Sequence, residues 1–338
     1  MPKAVIMAGG PGERFWPLTH PGFPKYCIRL DGKESLLQKT YRRLSALYGK
    51  KDIYVVTTKA HLAIIRRELP GFPPSRMLTE PSRRNTAAAV LLAVSELSKK
   101  FGEGEVISFY PADHLIRNAG LFRAAMRGAI QTARRAETLV TVGIKPAFPA
   151  TGYGYIQAGR PIARTAARAA ERFHEKPARK TAAGYLKRKN FFWNAGIFTW
   201  RAGVFLSTLK EHAPQICRLF DPARPLRNYG KLPALSIDTA LMEKADNVAV
   251  VATRMDWCDM GNWDMFFEKS RKDRSGNVAL GAVRHTKCRG SLLVNQTRKA
   301  IALSGFKNRI FVKTDRGVLA CGRGTSEEAA RRAAREAA

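Results

Sequence analysis

The chain opens on a short, continuously apolar run, residues 4–8, cut off by Gly9 and Gly10. A run that short, ended by a turn signal, predicts a strand buried on both faces. The pattern then changes to a helical period. Leu37, Tyr41, Leu44 and Tyr48 recur at three- and four-residue spacing across residues 35–48, with Ser35 placed to cap them. The alternation repeats, with strands predicted at 52–57, 76–78, 106–110 and 139–144 and helices at 59–69, 86–100 and 119–135. Apolar strands separated by amphipathic helices make βαβ units with right-handed crossovers. The expected fold class is therefore α/β: a Rossmann-like mixed, mainly parallel sheet flanked by helices.

After Pro146 the period shifts. Residues 151–157 alternate around Gly152 and Gly154, which predicts an extended segment passing close to a ligand. An aromatic strand is predicted at 191–200, helices at 202–212, 236–244 and 262–271, and a strand at 248–252. From about residue 277 the chain breaks into short apolar runs at 281–283, 291–295, 300–304, 309–313 and 317–321, separated by Gly, Asn and Asp. These predict a small C-terminal β domain. The expected division is a catalytic domain at 1–275 and a β domain with a terminal helix at 276–338. Thr325, Ser326, Glu327 and Glu328 form a capping-box signal, and the helix they open is acidic first and basic last.

Composition narrows the classes. Hydrophobic residues at 45% suffice for a core in 338 residues, so global disorder is excluded. No apolar run approaches the roughly 20 residues of a membrane span. The N-terminal segment lacks the pattern of a secretory leader, so the expected setting is cytoplasmic with no membrane partner. Five scattered cysteines without a CxxC pair argue against a disulfide framework or structural zinc. Lys plus Arg number 59 against 27 acidic residues, a net charge of +32 that raises nucleic-acid binding. The cations, however, are spread over pairs such as Arg66-Arg67 and Arg134-Arg135, without interleaved aromatics or a recognition helix. No specific nucleic acid is expected.

The candidate chemistry begins at the first turn. Gly9, Gly10 and Gly12 expose consecutive amides, Arg14 follows directly, and Lys25 comes one loop later. Such a turn can face phosphate oxygens while two cations compensate their charge, as a polyphosphate requires. The turn lacks the third glycine of a dinucleotide fingerprint and the GxxxxGK[ST] of a P-loop. A tight turn with two surface cations is the bland alternative. Asp113 follows a predicted strand, in the crevice where α/β sheets bind ligands, and can hold Mg²⁺. Asp259, beside Gly261, is a second acidic candidate, although the same loop could serve to cap the helix at Asn262. Glu175 and Lys176 pair a hydroxyl acceptor with a phosphate-binding cation, which suits a sugar phosphate. Asn194 offers an amide on the aromatic strand. Locally, Lys176 reads equally as a solvent charge before Pro177 and Asn194 as a turn residue. No Ser/His/Asp or Cys/His arrangement is persuasive.

Taken in order, these motifs resemble the sugar-nucleotidyltransferase family, and within it the mannose-1-phosphate guanylyltransferases. The carriers are residues 9–18 with Phe23-Pro24-Lys25, residues 80–87, Pro111-Ala112-Asp113-His114, residues 151–156 and residues 173–177. They continue with residues 193–198, Ser236-Ile237-Asp238 with Met242-Glu243-Lys244, and residues 257–263. The set spans nearly the whole chain. The resemblance implies transfer from GTP to mannose 1-phosphate, giving GDP-mannose and pyrophosphate. It places Gly9, Gly10, Gly12, Arg14 and Lys25 on the triphosphate, with Arg14, Lys25 and Asp113 as the catalytic set. Glu80, Asn85, Thr86 and Ala88 would lie near base and ribose, and Asp113 and Asp259 would hold Mg²⁺. Gly152, Tyr153, Glu175, Lys176 and Asn194 would bind the sugar phosphate. Transfer of another base, or use of glucose 1-phosphate, is the enzymatic alternative. A non-catalytic nucleotide-sugar or nucleic-acid-binding protein is the other. Thr19-His20 replaces the family's usual Ser-Arg, and Tyr26 its usual Gln. The β domain offers a surface for a homodimer, and the second, isomerase activity of longer relatives is expected to be absent.

Overall fold

The structure is a computed structural model that describes residues 1–10, 12–30 and 32–337. Pro11, within the glycine turn, lies outside the described residues. The chain forms two compact units, each assembled from separated segments. The first comprises Met1–Gly9, Thr40–Ala112 and Ile116–Trp257, and the second Gly10–Lys39, Asp113–Leu115 and Cys258–Ala338. The expected division at 275/276 follows sequence order, and these units follow packing: the C-terminal strands share a core with the glycine turn and the loop after it.

The first unit is built on a nine-stranded sheet. Its strands are β1 (Lys3–Ala8), β2 (Ile53–Thr58), β3 (Met77–Glu80), β4 (Val106–Pro111), β5 (Leu139–Ile144), β6 (Tyr155–Pro161), β7 (Arg168–His174), β8 (Phe191–Arg201) and β9 (Val248–Thr253). The spatial order is 3-2-1-4-8-5-9-7-6. Strands β3, β2, β1 and β4 run parallel, as do β5 and β9, while β8 is antiparallel to both β4 and β5. This is the expected mixed, mainly parallel sheet. Its central strands are continuously apolar because both faces are covered. Phe109 joins the cluster around helix α3 (Asn85–Phe101), while its neighbour Tyr110 meets Phe122 of helix α4 (Ala119–Arg135) at 6.1 Å. Adjacent strand residues point to opposite faces, so these two helices lie on opposite sides.

Two elements of this unit escape the sequence pattern. Strand β7 reads Arg-Ala-Ala-Glu-Arg-Phe-His, half-exposed and polar, and pairs antiparallel with β6. The helix expected at 236–244 is a π-helical turn, Asp238–Met242. Extended structure expected from 151 begins only at Tyr155.

In the second unit the strands are β10 (Val278–Gly281), β11 (Val283–Thr286), β12 (Leu292–Asn295), β13 (Ile301–Ser304), β14 (Arg309–Thr314) and β15 (Gly317–Gly322). Strands β10, β12 and β14 stack in parallel, β11 stacks on β13, and β15 closes antiparallel on β14. Successive coils of chain thus lie in register and bury Val278, Leu292, Val294, Ile310 and Val312. The same cluster takes Phe15, from the turn after Gly12, and Trp263, whose rings meet edge-on at 5.0 Å. Ser35 caps the first helix as expected: its hydroxyl accepts from Gln38 N, and Gln38 Oε1 accepts from Ser35 N. The terminal capping box is not formed. Thr325 makes no side-chain cap, and Asp264 accepts from Gly324 N and Ser326 N instead. The terminal helix α9 (Ser326–Glu336) is therefore held by a carboxylate 62 residues earlier.

Candidate functional site

Lys25 organises the phosphate candidates of the second unit. Its Nζ donates to Asp113 Oδ2 at 2.7 Å and to the Asp259 carbonyl at 2.6 Å. One ammonium thus ties together the two acidic segments that sequence spacing left far apart. Burial alone would raise the Asp113 carboxyl, but the Lys25 ammonium and neighbouring His114 outweigh it and hold Asp113 below its ordinary range. The group stays ionised. Gly12 is indispensable to this approach. It adopts φ 75°, and a Cβ there would lie 2.8 Å from Lys25 Cβ and 3.1 Å from Lys25 N. Gly261 makes similar room, because a Cβ on it would stand 3.3 Å from both Asp259 carboxylate oxygens and 3.5 Å from Arg14 Nη1. Arg14, Lys25, Asp113 and Asp259 are therefore neighbours around the glycine turn, while Gly10 stays open. Asn262 caps its own helix by accepting from Met265 N, so capping does not consume Asp259.

Sequence reading misses Glu327. This residue of α9 places Oε1 3.7 Å from Arg14 Nη1, and its other oxygen accepts from Asn262 Nδ2 at 3.1 Å. The local pattern puts it in a capping box, and nothing nearby in the chain distinguishes that use from this one. The replacements at Thr19 and His20 are also accounted for. Thr19 Oγ1 donates to the Gly12 carbonyl at 2.7 Å, and His20 Nδ1 accepts from Gly22 N while its ring stacks on Phe23.

In the first unit Glu80 ends β3 and is buried. Tyr229 donates its hydroxyl to Oε2 at 2.6 Å, and Oε1 would lie 3.6 Å from a Cβ on Gly9. Burial raises the Glu80 carboxyl, opposed by Tyr229 and Arg83. Asn85 is exposed with φ 62°, a left-handed conformation that asparagine tolerates, and its Oδ1 accepts from Thr86 N. The Thr86 hydroxyl accepts from Ile237 N, which ties the start of α3 to the Ser-Ile-Asp segment. Ala88 is 1% exposed, and its side chain belongs to the hydrophobic core.

A second polar cluster gathers Glu175, Lys176 and Asn194. Lys176 Nζ lies 2.8 Å from Glu175 Oε1, and Lys176 carries φ 47°, sparse for a residue with a side chain. Asn194 is held on every side. Its Oδ1 accepts from Thr141 Oγ1 and Gly196 N, and its Nδ2 donates to Asp238 Oδ1 at 2.7 Å. Asp238 is the second residue that sequence reading leaves without a role. Burial, with the Glu175 carboxylate nearby, pushes its carboxyl up to about 7 against the pull of Lys176 and Asn194. Gly154, not Gly152, is the glycine that the packing demands. A Cβ at 154 would come within 2.6 Å of Glu175 Oε2, whereas one at 152 meets nothing within 4 Å. Tyr153 stacks edge-on between Trp193 and Trp257 at 5.2 and 5.1 Å.

The chain is similar to known proteins over most of its length. The profile of the nucleotidyl transferase family matches residues 3–276. The xanthan biosynthesis protein XanB of Xanthomonas campestris pv. campestris is 36% identical over 329 residues, 93% of this chain and 69% of its own. A mannose-1-phosphate guanylyltransferase of Escherichia coli is 36% identical over 341 residues, 96% of this chain and 71% of its own. A solved structure from Thermus thermophilus, described as a mannose-1-phosphate geranyltransferase, superposes with TM-score 0.89 at 32% identity and covers 99% of both chains. A cationic glycine turn joined to two aspartate segments, on a scaffold shared with these proteins over almost its full length, makes this chain a member of the nucleotidyl transferase family and a sugar nucleotidyltransferase.

Proposed function

We propose that the chain is a mannose-1-phosphate guanylyltransferase, converting GTP and α-D-mannose 1-phosphate to GDP-mannose and pyrophosphate. The observation that carries the choice of base is Glu80. A buried carboxylate with one oxygen taken by Tyr229 and the other directed to the Gly9 side is an acceptor-only group. Guanine presents two adjacent donors on its pairing edge, N1–H and the 2-amino group. Adenine, cytosine and uracil do not. The mannose assignment is supported by the curated relatives that carry that name at 31–36% identity.

In the reaction, a phosphate oxygen of the sugar phosphate forms a bond to the α-phosphorus in line with the bond to the β-phosphate oxygen. That second bond breaks, and pyrophosphate leaves with its electron pair. The nucleophile is already anionic, so no general base is needed, and alignment and charge stabilisation supply the catalysis. Gly9, Gly10 and Gly12 present backbone to the triphosphate, with Arg14 and Lys25 neutralising the transferring and departing groups. Glu175 and Lys176 receive the sugar phosphate, flanked by Gly152 and Tyr153. Asn194 fixes Asp238 beside them.

The donor set around Lys25 fits magnesium. Asp113 and Asp259 supply hard carboxylate oxygens, and no group of three or more His, Cys, Asp or Glu among the described residues builds a cage of protein alone. Magnesium favours that combination, one or two carboxylates completed by phosphates and water. When bound to Asp113 and Asp259 it would lend Lewis-acid charge stabilisation to phosphate oxygens.

The family profile ends at residue 276, which supports a catalytic domain at 1–275, and the strands of 276–338 are proposed as a homodimer surface. No helix among the described residues is long and apolar enough to cross a membrane. Use of GTP supports a cytoplasmic setting. The test is Glu80→Gln, assayed with GTP, ATP and UTP. Discrimination for GTP should fall at least ~10-fold, the cost of losing a matched hydrogen-bond acceptor. Unchanged selectivity would remove Glu80 from base reading.

A further inference from the structure

The coil of the second unit holds a hollow of about 980 Å³ on the side where its turns precede β10, β12 and β14. Six cations line it: Lys272, Arg274, Lys287, Arg289, Lys307 and Arg323. Glu268 is the one carboxylate in the lining. Two of the cations are already partnered. Arg323 pairs with Glu268 Oε1 and lies 4.2 Å from the centre of the Phe267 ring, and Lys272 donates to the Phe267 and Glu268 carbonyls. Among the described residues, Arg274, Lys287, Arg289 and Lys307 form no ion pair. The nearby Asp273 accepts from Ser275 N and Asn277 N and lies 3.6 Å from His285, and it forms an ion pair with none of these four.

The backbone explains why these charges crowd together. Parallel register stacks Val278 on Leu292 and Leu292 on Ile310, so the residues three before each, Ser275, Arg289 and Lys307, fall in one column. Arg289 and Lys307 are joined by a parallel bridge, which sets the backbones of two cationic residues one strand spacing apart, roughly 4.8 Å. The adjoining column is Gly276, Gly290 and Asn308, all left-handed at φ 75°, 60° and 49°. A Cβ on Gly290 would lie 2.6 Å from Asn308 Oδ1, so the missing side chain is what lets the turns stack this closely. Asn277 locks the frame by donating to the Cys288 carbonyl and accepting from Ser291 N.

We propose that this hollow binds a small polyphosphate anion, through a site separate from the Lys25 cluster. Stacked, unpaired cations favour a ligand that carries several negative charges close together, and arginine forks match phosphate oxygens. The ligand is small and read by its phosphates because bases need aromatic platforms. The one ring in the lining, Phe267, is buried and covered by Arg323 and Lys272. The proposal does not rest on the identity of the sugar or base.

Titration calorimetry of the full chain with inorganic triphosphate, in EDTA at about 150 mM salt, tests it. A triphosphate site should persist in Lys25→Ala and weaken at least ~10-fold in Arg289→Ser/Lys307→Ser, since two charge-assisted contacts are lost. Turnover and thermal melting of that double variant should match the parent. If the double variant melts early, Lys307→Gln alone should still weaken binding. Three results would overturn the proposal: an affinity unmoved by these changes, an equal loss in the charge-matched control Lys50→Ser/Lys51→Ser, or loss in Lys25→Ala alone. Tighter binding of a single-stranded oligonucleotide, abolished by the same pair, would replace the small anion with nucleic acid and overturn it as well.

Discussion

The Lys25 cluster of the second unit, proposed for phosphate, and the Asn194–Asp238 cluster of the first, proposed for the sugar, treat their carboxylates in opposite ways. Asp113 has an ammonium at 2.7 Å and is held ionised below its ordinary range. Asp238 is raised to about 7 by burial and by its like-charged neighbour Glu175, and the Asn194 amide at 2.7 Å offsets only part of that rise. The first arrangement suits metal and phosphate, which want fixed charge. The second suits hydroxyl groups, since a carboxylic acid that keeps its proton can donate as well as accept. The lesson is that nearest neighbours, more than residue type, set what an aspartate does here.

The comparison breaks most sharply at Lys25. Lys25→Ala frees both acidic segments at once, and turnover should fall by about 10³-fold, the upper range for one preorganised electrostatic group. Steady-state turnover at saturating GTP, sugar phosphate and Mg²⁺ measures this, and a drop below tenfold would show that the bridge is not catalytic. Asp113→Asn leaves Lys25 in place and should cost roughly 100-fold. Near-parental turnover at saturating Mg²⁺ would count against its assignment.

On the sugar side the effects should be smaller and confined to one substrate. Lys176→Ala should raise KM for mannose 1-phosphate roughly tenfold, as expected for one lost charged contact, while KM for GTP stays within about twofold. Equal changes in both constants would deny that Lys176 serves the sugar phosphate.

The contrast also predicts opposite pH behaviour. Asp238 has its ordinary value at 3.8 and its folded value at about 7. Between them the folded chain holds the extra proton, so stability drops as pH rises through that window. Asp238→Asn should therefore gain more thermal stability over the parent near about pH 8 than near about pH 5. Asp113 runs the other way. Its contribution is complete above the ordinary value of 3.8 and is lost as pH falls through the lower folded value. Melting of both variants across pH distinguishes these signs, and parallel curves would refute the contrast. The smallest effect belongs to Glu327→Gln, which loosens an Arg14 contact of 3.7 Å between side chains more than a third exposed. KM for GTP should shift about two- to fivefold, the worth of an exposed ion pair.

Much of the phosphate cluster is legible in the sequence because its residues sit in punctuated places. Glycines mark the turn, Asp113 follows an apolar strand, and Lys25 follows a proline. The sugar-side cluster is legible only in part. Gly154 matters because Glu175 packs over it, and that contact is set by the pairing of β6 with β7, a strand too polar to read in advance. Asp238 acquires its character from Asn194 and Glu175, which lie 44 and 63 residues away, and its π-helical turn has the pattern of an ordinary helix. Glu327 is misread for the same reason, since its partner is Arg14 rather than its own helix terminus. The resemblance implies a place near the base for Ala88, and the helix turns its side chain into the core. Local pattern predicts elements and turns. It does not predict which distant charge a side chain will meet.

The most direct measurement is pyrophosphate release by the full chain with GTP, ATP, UTP and dTTP, each paired with mannose 1-phosphate and glucose 1-phosphate in Mg²⁺. The account predicts that GTP with mannose 1-phosphate exceeds every other pair in kcat/KM, by at least ~10-fold over the other bases. Equal or faster turnover with another base, or no release from any pair, would contradict it.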